Sequence, residues 1–133
     1  KIVTAITVGT TDFRITKIGR ILRLTRIDEL PQLIDVLLGR MSMIGARPEV
    51  KKFVDVYTDE MKATLILKPG ITGSASIEFR NENDMLLGKE DPEQFYIEEI
   101  LPIKMKINLD YIKGISFFND VKILIGTLLC VFK

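Results

Sequence analysis

A chain of 133 residues with no histidine and a single cysteine, Cys130, has no imidazole for a Ser-His-Asp or Cys-His nucleophile or an HExxH zinc site, and no internal disulfide. Any catalysis must run on carboxylates, Lys, Arg, hydroxyls or a bound hard metal ion. At 47% hydrophobic and 28% charged the composition is globular and suits one domain over residues 1–133, while a net charge of +1 and a basic stretch without interleaved aromatics argue against nucleic-acid binding.

Residues 1–8 alternate loosely and are rich in Ile, Val and Thr, which predicts a short strand or extended arm ending at Gly9. Over residues 16–24, Ile18, Ile21 and Leu22 share a helical face while Lys17, Arg20 and Arg23 point away, so an amphipathic helix with a basic outer side is expected. Arg14 and Arg26 extend that basic segment. A second helix carries Leu30, Leu33, Ile34, Leu37 and Leu38 at helical spacing and stops at Gly39.

Beyond the Gly45-Ala46-Arg47-Pro48 corner, Phe53, Val54 and Tyr57, then Met61, Leu65 and Ile66, predict two short helices, the second capped by Thr58 or Asp59. Lys68-Pro69-Gly70-Ile71-Thr72-Gly73 breaks the pattern as a turn, and the weak alternation after it predicts an extended segment or hairpin over residues 75–80. Residues 81–91 are polar and read as a surface loop, and Asp91-Pro92-Glu93 reads as a helix start. Residues 102–112 carry both periodicities and are assigned to a helix. The last helix has a wide apolar face of Phe117, Phe118, Val121, Leu124, Ile125, Leu128 and Phe132, opposite Asn119, Lys122, Gly126 and Cys130. The fold class expected is α+β, predominantly helical.

Asp28-Glu29 places adjacent carboxylates at the start of the second helix, where an acidic first turn is ordinary and a capping role is the plain reading. The surrounding residues point further. Arg14-Ile15-Thr16-Lys17-Ile18-Gly19-Arg20, Thr25-Arg26-Ile27-Asp28-Glu29-Leu30-Pro31-Gln32-Leu33-Ile34 and Leu38-Gly39-Arg40-Met41-Ser42-Met43-Ile44-Gly45-Ala46-Arg47-Pro48-Glu49 come first. Lys68-Pro69-Gly70-Ile71-Thr72-Gly73 and Ser116-Phe117-Phe118-Asn119-Asp120-Val121-Lys122-Ile123-Leu124 follow in order. From about Ala5 onward the chain resembles the bacterial sugar transferase family of monotopic polyprenyl-phosphate phosphoglycosyl transferases.

The resemblance implies transfer of a sugar 1-phosphate from a UDP-sugar to polyprenyl (undecaprenyl) phosphate at the cytoplasmic face of the bacterial inner membrane, starting a capsule, exopolysaccharide or O-antigen glycan. It implies Asp28 as a nucleophile that forms an aspartyl-phosphosugar, Glu29 as its dyad partner, and Mg²⁺ held through Asp28, Glu29 or both. Arg47, where the family commonly has Pro-Arg-Pro and this chain has Ala46 first, is implied to grip phosphate oxygens. Arg80 is implied to contact the nucleotide sugar, against the plain reading of a surface salt bridge. Asp120 is implied to help hold the metal or orient Arg80, against that of a helix cap.

The apolar face of the last helix reads either as core or as a helix lying in the membrane interface, and the resemblance favours the membrane. A homodimer is compatible with the sequence. The family's re-entrant membrane helix and its following basic segment are not present in this sequence, so it reads as a piece of a longer protein, with weak or no turnover expected of it alone. Two other readings are a catalytically silent interaction module at the membrane surface and a Mg²⁺-dependent phosphohydrolase.

Overall fold

Helices dominate the computed structural model, which describes residues 15–24 and 27–131. The strand or arm expected over residues 1–8, together with Arg14, Arg26 and Phe132, lies outside the described residues. Helix α1, Lys17–Leu24, starts where Thr16 Oγ1 accepts from the Gly19 N–H at 3.0 Å. A 3₁₀ turn, Ile27–Glu29, precedes α2, Gln32–Leu37. Gly39, at φ +70°, adopts the left-handed conformation that ends the helix.

Among the described residues the extended structure is a two-stranded parallel sheet, β1 (Ser42–Ile44) against β2 (Gly70–Thr72), with Ser42 opposite Gly70 and Ile44 opposite Thr72. Between the strands lie α3 (Lys51–Val54), α4 (Asp59–Lys62, capped by Thr58 Oγ1 on the Met61 N–H) and a 3₁₀ turn, Ala63–Ile66. A Cβ on Gly70 would overlap the backbone of Gly45, and one on Gly73 would overlap the Gly45 carbonyl oxygen. Absence of side chains at Gly70 and Gly73 therefore permits this approach, and it places the segment from Pro69 to Gly73, expected as a turn but built around strand β2, directly beside the Arg47 corner.

The extended segment expected over residues 75–80 is instead helix α5, Ser74–Glu78. In so short a stretch the alternation of Ala75, Ile77 and Phe79 does not exclude a helix, because Ala75 and Phe79 are also one turn apart, and the Phe79 N–H bonds the Ala75 carbonyl at 2.9 Å. The loop expected over residues 81–91 likewise contains a single-turn helix, α6, Glu82–Met85.

Asp91 Oδ1 accepts from the Glu93 and Gln94 N–H groups and starts α7, Pro92–Phe95, as its sequence predicts. A π turn, Tyr96–Ile100, links α7 to α8, Leu101–Lys113; Pro102 supplies no N–H here, which suits a local widening of the ladder. Phe53, Tyr57, Leu86, Tyr96, Ile100, Leu101 and Met105 form the main core, with the Phe53 and Tyr96 rings 4.7 Å apart. A second cluster joins Ile44, Tyr111 and Ile123, so α8 packs against both.

The final helix, α9 (Phe117–Val131), turns its less apolar side inward. Ile123 is buried, Ile77 Cδ1 meets the space beside Gly126, and Thr127 Oγ1 lies 2.8 Å from Thr72 Oγ1. Thr127 Oγ1 donates to the Ile123 carbonyl, so the Thr72 hydroxyl is the donor to Thr127. Phe117 and Phe118 are 77% and 84% exposed, and Ile125, Leu128 and Leu129 are exposed as well.

Candidate active site

The plain capping reading of Asp28-Glu29 does not hold. Helix α2 begins at Gln32 with Pro31 in the N-cap position and no side-chain cap bond, and the two acids sit one turn earlier in the 3₁₀ segment. The Asp28 side chain is exposed and makes no hydrogen bond or ion pair with the described residues. Glu29 is partly covered: its Oε1 accepts from Arg47 Nη1 at 3.0 Å. The corner that follows β1 is thus bound to the acidic turn that precedes α2. An exposed carboxylate, a partly buried carboxylate and a guanidinium come together, with the β1–β2 pair fixing the corner from behind.

Backbone bonds hold that corner. The Gly45 N–H reaches the Thr72 carbonyl at 2.9 Å, and the Gly70 N–H reaches the Ala46 carbonyl at 2.8 Å. Ala46, where the resemblance expects proline, contributes a backbone acceptor to this crossing.

Arg80 is exposed in the turn between α5 and α6, a turn closed by the Glu82 N–H on the Phe79 carbonyl at 3.0 Å. Asp120, in the first turn of α9, accepts from the Tyr111 hydroxyl at 2.7 Å and forms no ion pair with Arg80. Burial, then this hydrogen bond and the charge of Asp120, push the Tyr111 hydroxyl up to about 12. Asp120 thereby ties α9 to the end of α8.

Sequence reasoning missed a charged cluster behind the site. Lys104 Nζ, on α8, donates to Glu49 Oε1 at 2.8 Å, Glu82 Oε2 at 2.9 Å and the Tyr96 hydroxyl at 2.8 Å, while the Tyr96 hydroxyl donates to Glu49 Oε1 at 2.7 Å. The Tyr96 ring is buried. Burial and the nearby Glu49 carboxylate lift its hydroxyl far above the usual tyrosine range and push Tyr57 up to about 12. One clue was local: Glu49 closes the same run that contains Arg47.

A shallow, open depression lined by Lys89, Glu90, Asp91, Gln94, Phe95 and Glu98 contains none of the predicted site residues. Among the described residues no helix is long and apolar enough to cross a membrane.

The chain belongs to the bacterial sugar transferase family, whose sequence profile matches residues 4–133. It is 37% identical over 126 residues to a UDP-glucose:undecaprenyl-phosphate glucose-1-phosphate transferase of Klebsiella pneumoniae, covering 92% of this chain and 24% of that protein. It is 39% identical over 117 residues to a galactosyl transferase of Streptococcus agalactiae, covering 88% and 23%. With a UDP-N-acetylgalactosamine-undecaprenyl-phosphate N-acetylgalactosaminephosphotransferase of Aeromonas hydrophila it shares 37% over 120 residues, covering 88% and 25%. The chain spans about a quarter of the length of each of these relatives.

Proposed function

We propose that this chain carries the catalytic centre of a phosphoglycosyl transferase that moves a sugar 1-phosphate from a UDP-sugar to undecaprenyl phosphate. The observation that carries the reading is the exposed Asp28 carboxylate beside the Glu29–Arg47 contact of 3.0 Å, in a chain similar to transferases of this kind. An Asp28 oxygen attacks the β-phosphorus of the UDP-sugar. The bond from that phosphorus to the bridging oxygen breaks, UMP leaves, and the sugar phosphate remains on Asp28 as an acyl phosphate. A phosphate oxygen of the lipid then attacks the same phosphorus, the acyl-phosphate bond breaks, and the carboxylate is regenerated.

Glu29 holds the Arg47 fork beside the nucleophile, and Arg47 neutralises phosphate oxygens as the acid approaches. The donor set suits Mg²⁺: two adjacent carboxylates on an open turn match an ion bound by one or two acids together with substrate phosphates. No group of three or more Asp, Glu or Cys side chains gathers to hold a metal among the described residues, so further ligands would come from substrate and water. Bound there, Mg²⁺ would supply charge neutralisation at the diphosphate.

The acceptor reading assigns the membrane surface to the uncovered apolar residues. Ile18 and Ile21 of α1 are 72% and 61% exposed, beside the exposed cationic Lys17, Arg20 and Arg23, and the Phe/Leu side of α9 also faces outward. A helix whose apolar face is left open by its own fold suits an interface with lipid, with cations for anionic headgroups.

The test incubates the intact protein with radiolabelled UDP-sugars, Mg²⁺ and undecaprenyl phosphate, comparing wild type with Asp28→Asn. Label in lipid together with UMP release, both lost in Asp28→Asn, is the expected result. UMP release that continues over many turnovers without the lipid would make the protein a hydrolase, and silence with every UDP-sugar would leave an interaction module.

A further inference from the structure

We infer that Lys104 is a positioning residue that sets the placement of Arg47 and Arg80 relative to each other. Its ammonium is the point where the two arginine-bearing segments meet. Glu49 lies two residues after Arg47 with the stiff Pro48 between them, and Glu82 lies two residues after Arg80 and closes the turn in which Arg80 sits. The third acceptor, the Tyr96 hydroxyl, is anchored in the main core and itself donates to Glu49. One cation thus joins the corner after β1, the start of α6 and the π turn through contacts of 2.8 to 2.9 Å.

Stability alone does not account for this arrangement. The side chains are largely buried, Lys104 at 14% exposed, Glu49 at 13% and Glu82 at 25%, and an apolar cluster of the same volume would hold such a core as well or better. What an apolar cluster lacks is direction. Three acceptors around one ammonium fix distances between segments that no other described ion pair connects, and the two guanidinium groups sit on those segments. Neither Arg47 nor Arg80 contacts Lys104, so its effect reaches substrate only through them.

The inference rests on the transferase reading for its catalytic consequence, so the test has one arm that needs turnover and one that does not. In the intact protein, Lys104→Met lowers kcat/KM for the UDP-sugar about 10- to 100-fold, the range in which small misplacements of binding groups act. In an Arg47→Ala background the same change costs less, because one of the two groups it positions is gone and only the Arg80 share of the loss remains. Equal losses in both backgrounds would overturn the inference. The second arm follows the side-chain N–H signals of Arg47 and Arg80 by NMR, assigned from Arg47→Lys and Arg80→Lys. Both signals move in Lys104→Met, whereas Glu82→Gln, which keeps the Glu49 bond, moves chiefly that of Arg80. Signals that stay at their wild-type positions in folded Lys104→Met protein would sink the proposal. Silence of the wild type with every UDP-sugar would refute the transferase reading, and the NMR arm would still decide on Lys104.

Discussion

Arg47 Nη1 donates to Glu29 Oε1 at 3.0 Å across a gap of many residues in the chain, joining the corner after β1 to the 3₁₀ turn that holds Asp28. This contact turns two separate sequence runs into one site. The pair is partly exposed, so its contribution to stability is about 1 kcal/mol or less. Arg47→Ala is therefore expected to unfold within a few degrees of wild type while lowering UMP release about 10²- to 10³-fold, the loss typical for one donor to a developing anion. Thermal melts and a coupled UMP assay measure both.

Among the described residues Asp28 makes no side-chain bond that holds the fold, so Asp28→Asn is expected to leave the melting temperature unchanged. Intact-mass measurement after mixing with a UDP-sugar detects a phosphosugar adduct on wild type and none on Asp28→Asn. A labelled Asp28→Asn protein would reassign the nucleophile.

The glycine crossing gives a stability prediction. Gly70→Ala drives a methyl into the backbone of Gly45 and is expected to destabilise the protein by about 1–3 kcal/mol, read from the urea midpoint. Gly114→Ala is the control, since its Cβ would meet the Asp110 carbonyl oxygen at an ordinary 3.6 Å.

Alkaline pH provides another. The Tyr111 hydroxyl is raised from 10.0 to about 12, chiefly by burial, then by Asp120. A group whose folded value lies above its unfolded value contributes stability that is complete below pH 10 and disappears as pH climbs through about 12. Wild type therefore weakens across that window, and Tyr111→Phe weakens less steeply. Tyr57, raised to about 12 by burial and then by Glu49, leaves part of the slope in place. Urea midpoints from pH 8 upward test this; equal slopes in both proteins would refute it.

Substitutions on the outward stripe of α9 test the proposed membrane docking apart from folding. Phe117→Ser with Phe118→Ser is expected to reduce cosedimentation of the 133-residue chain with anionic vesicles while shifting stability by about 0.5 kcal/mol or less, since both rings are mostly exposed. Thr127→Val does the opposite: it removes the acceptor of the Thr72 hydroxyl, lowers stability by about 1 kcal/mol and leaves vesicle binding alone.

Local chemistry alone determined several elements. The helical spacing of Leu30 to Leu38 and the stop at Gly39 foretold α2, a cap at Thr58 or Asp59 and one at Asp91 foretold α4 and α7, with the fold choosing Thr58, and residues 102–112 were helical as assigned. These signals lie within a few residues of one another, where spacing and capping act. Asp28, Glu29 and Arg47 were singled out only through the resemblance that their compact runs carry, since local chemistry alone read Asp28 as a helix cap. Tertiary structure decided the rest. Gly70 reads as a turn residue until Gly45 arrives against it, and the alternation over residues 75–80 spans too few residues to separate strand from helix. Periodicity showed that α9 has an apolar side but not that the fold would bury Ile123 and turn the half-buried Gly126 and Thr127 inward instead. Lys104 carried no local sign of its role. A buried ammonium is satisfied only by the acceptors that distant segments bring to it, and where those segments meet depends on the packing of the whole chain.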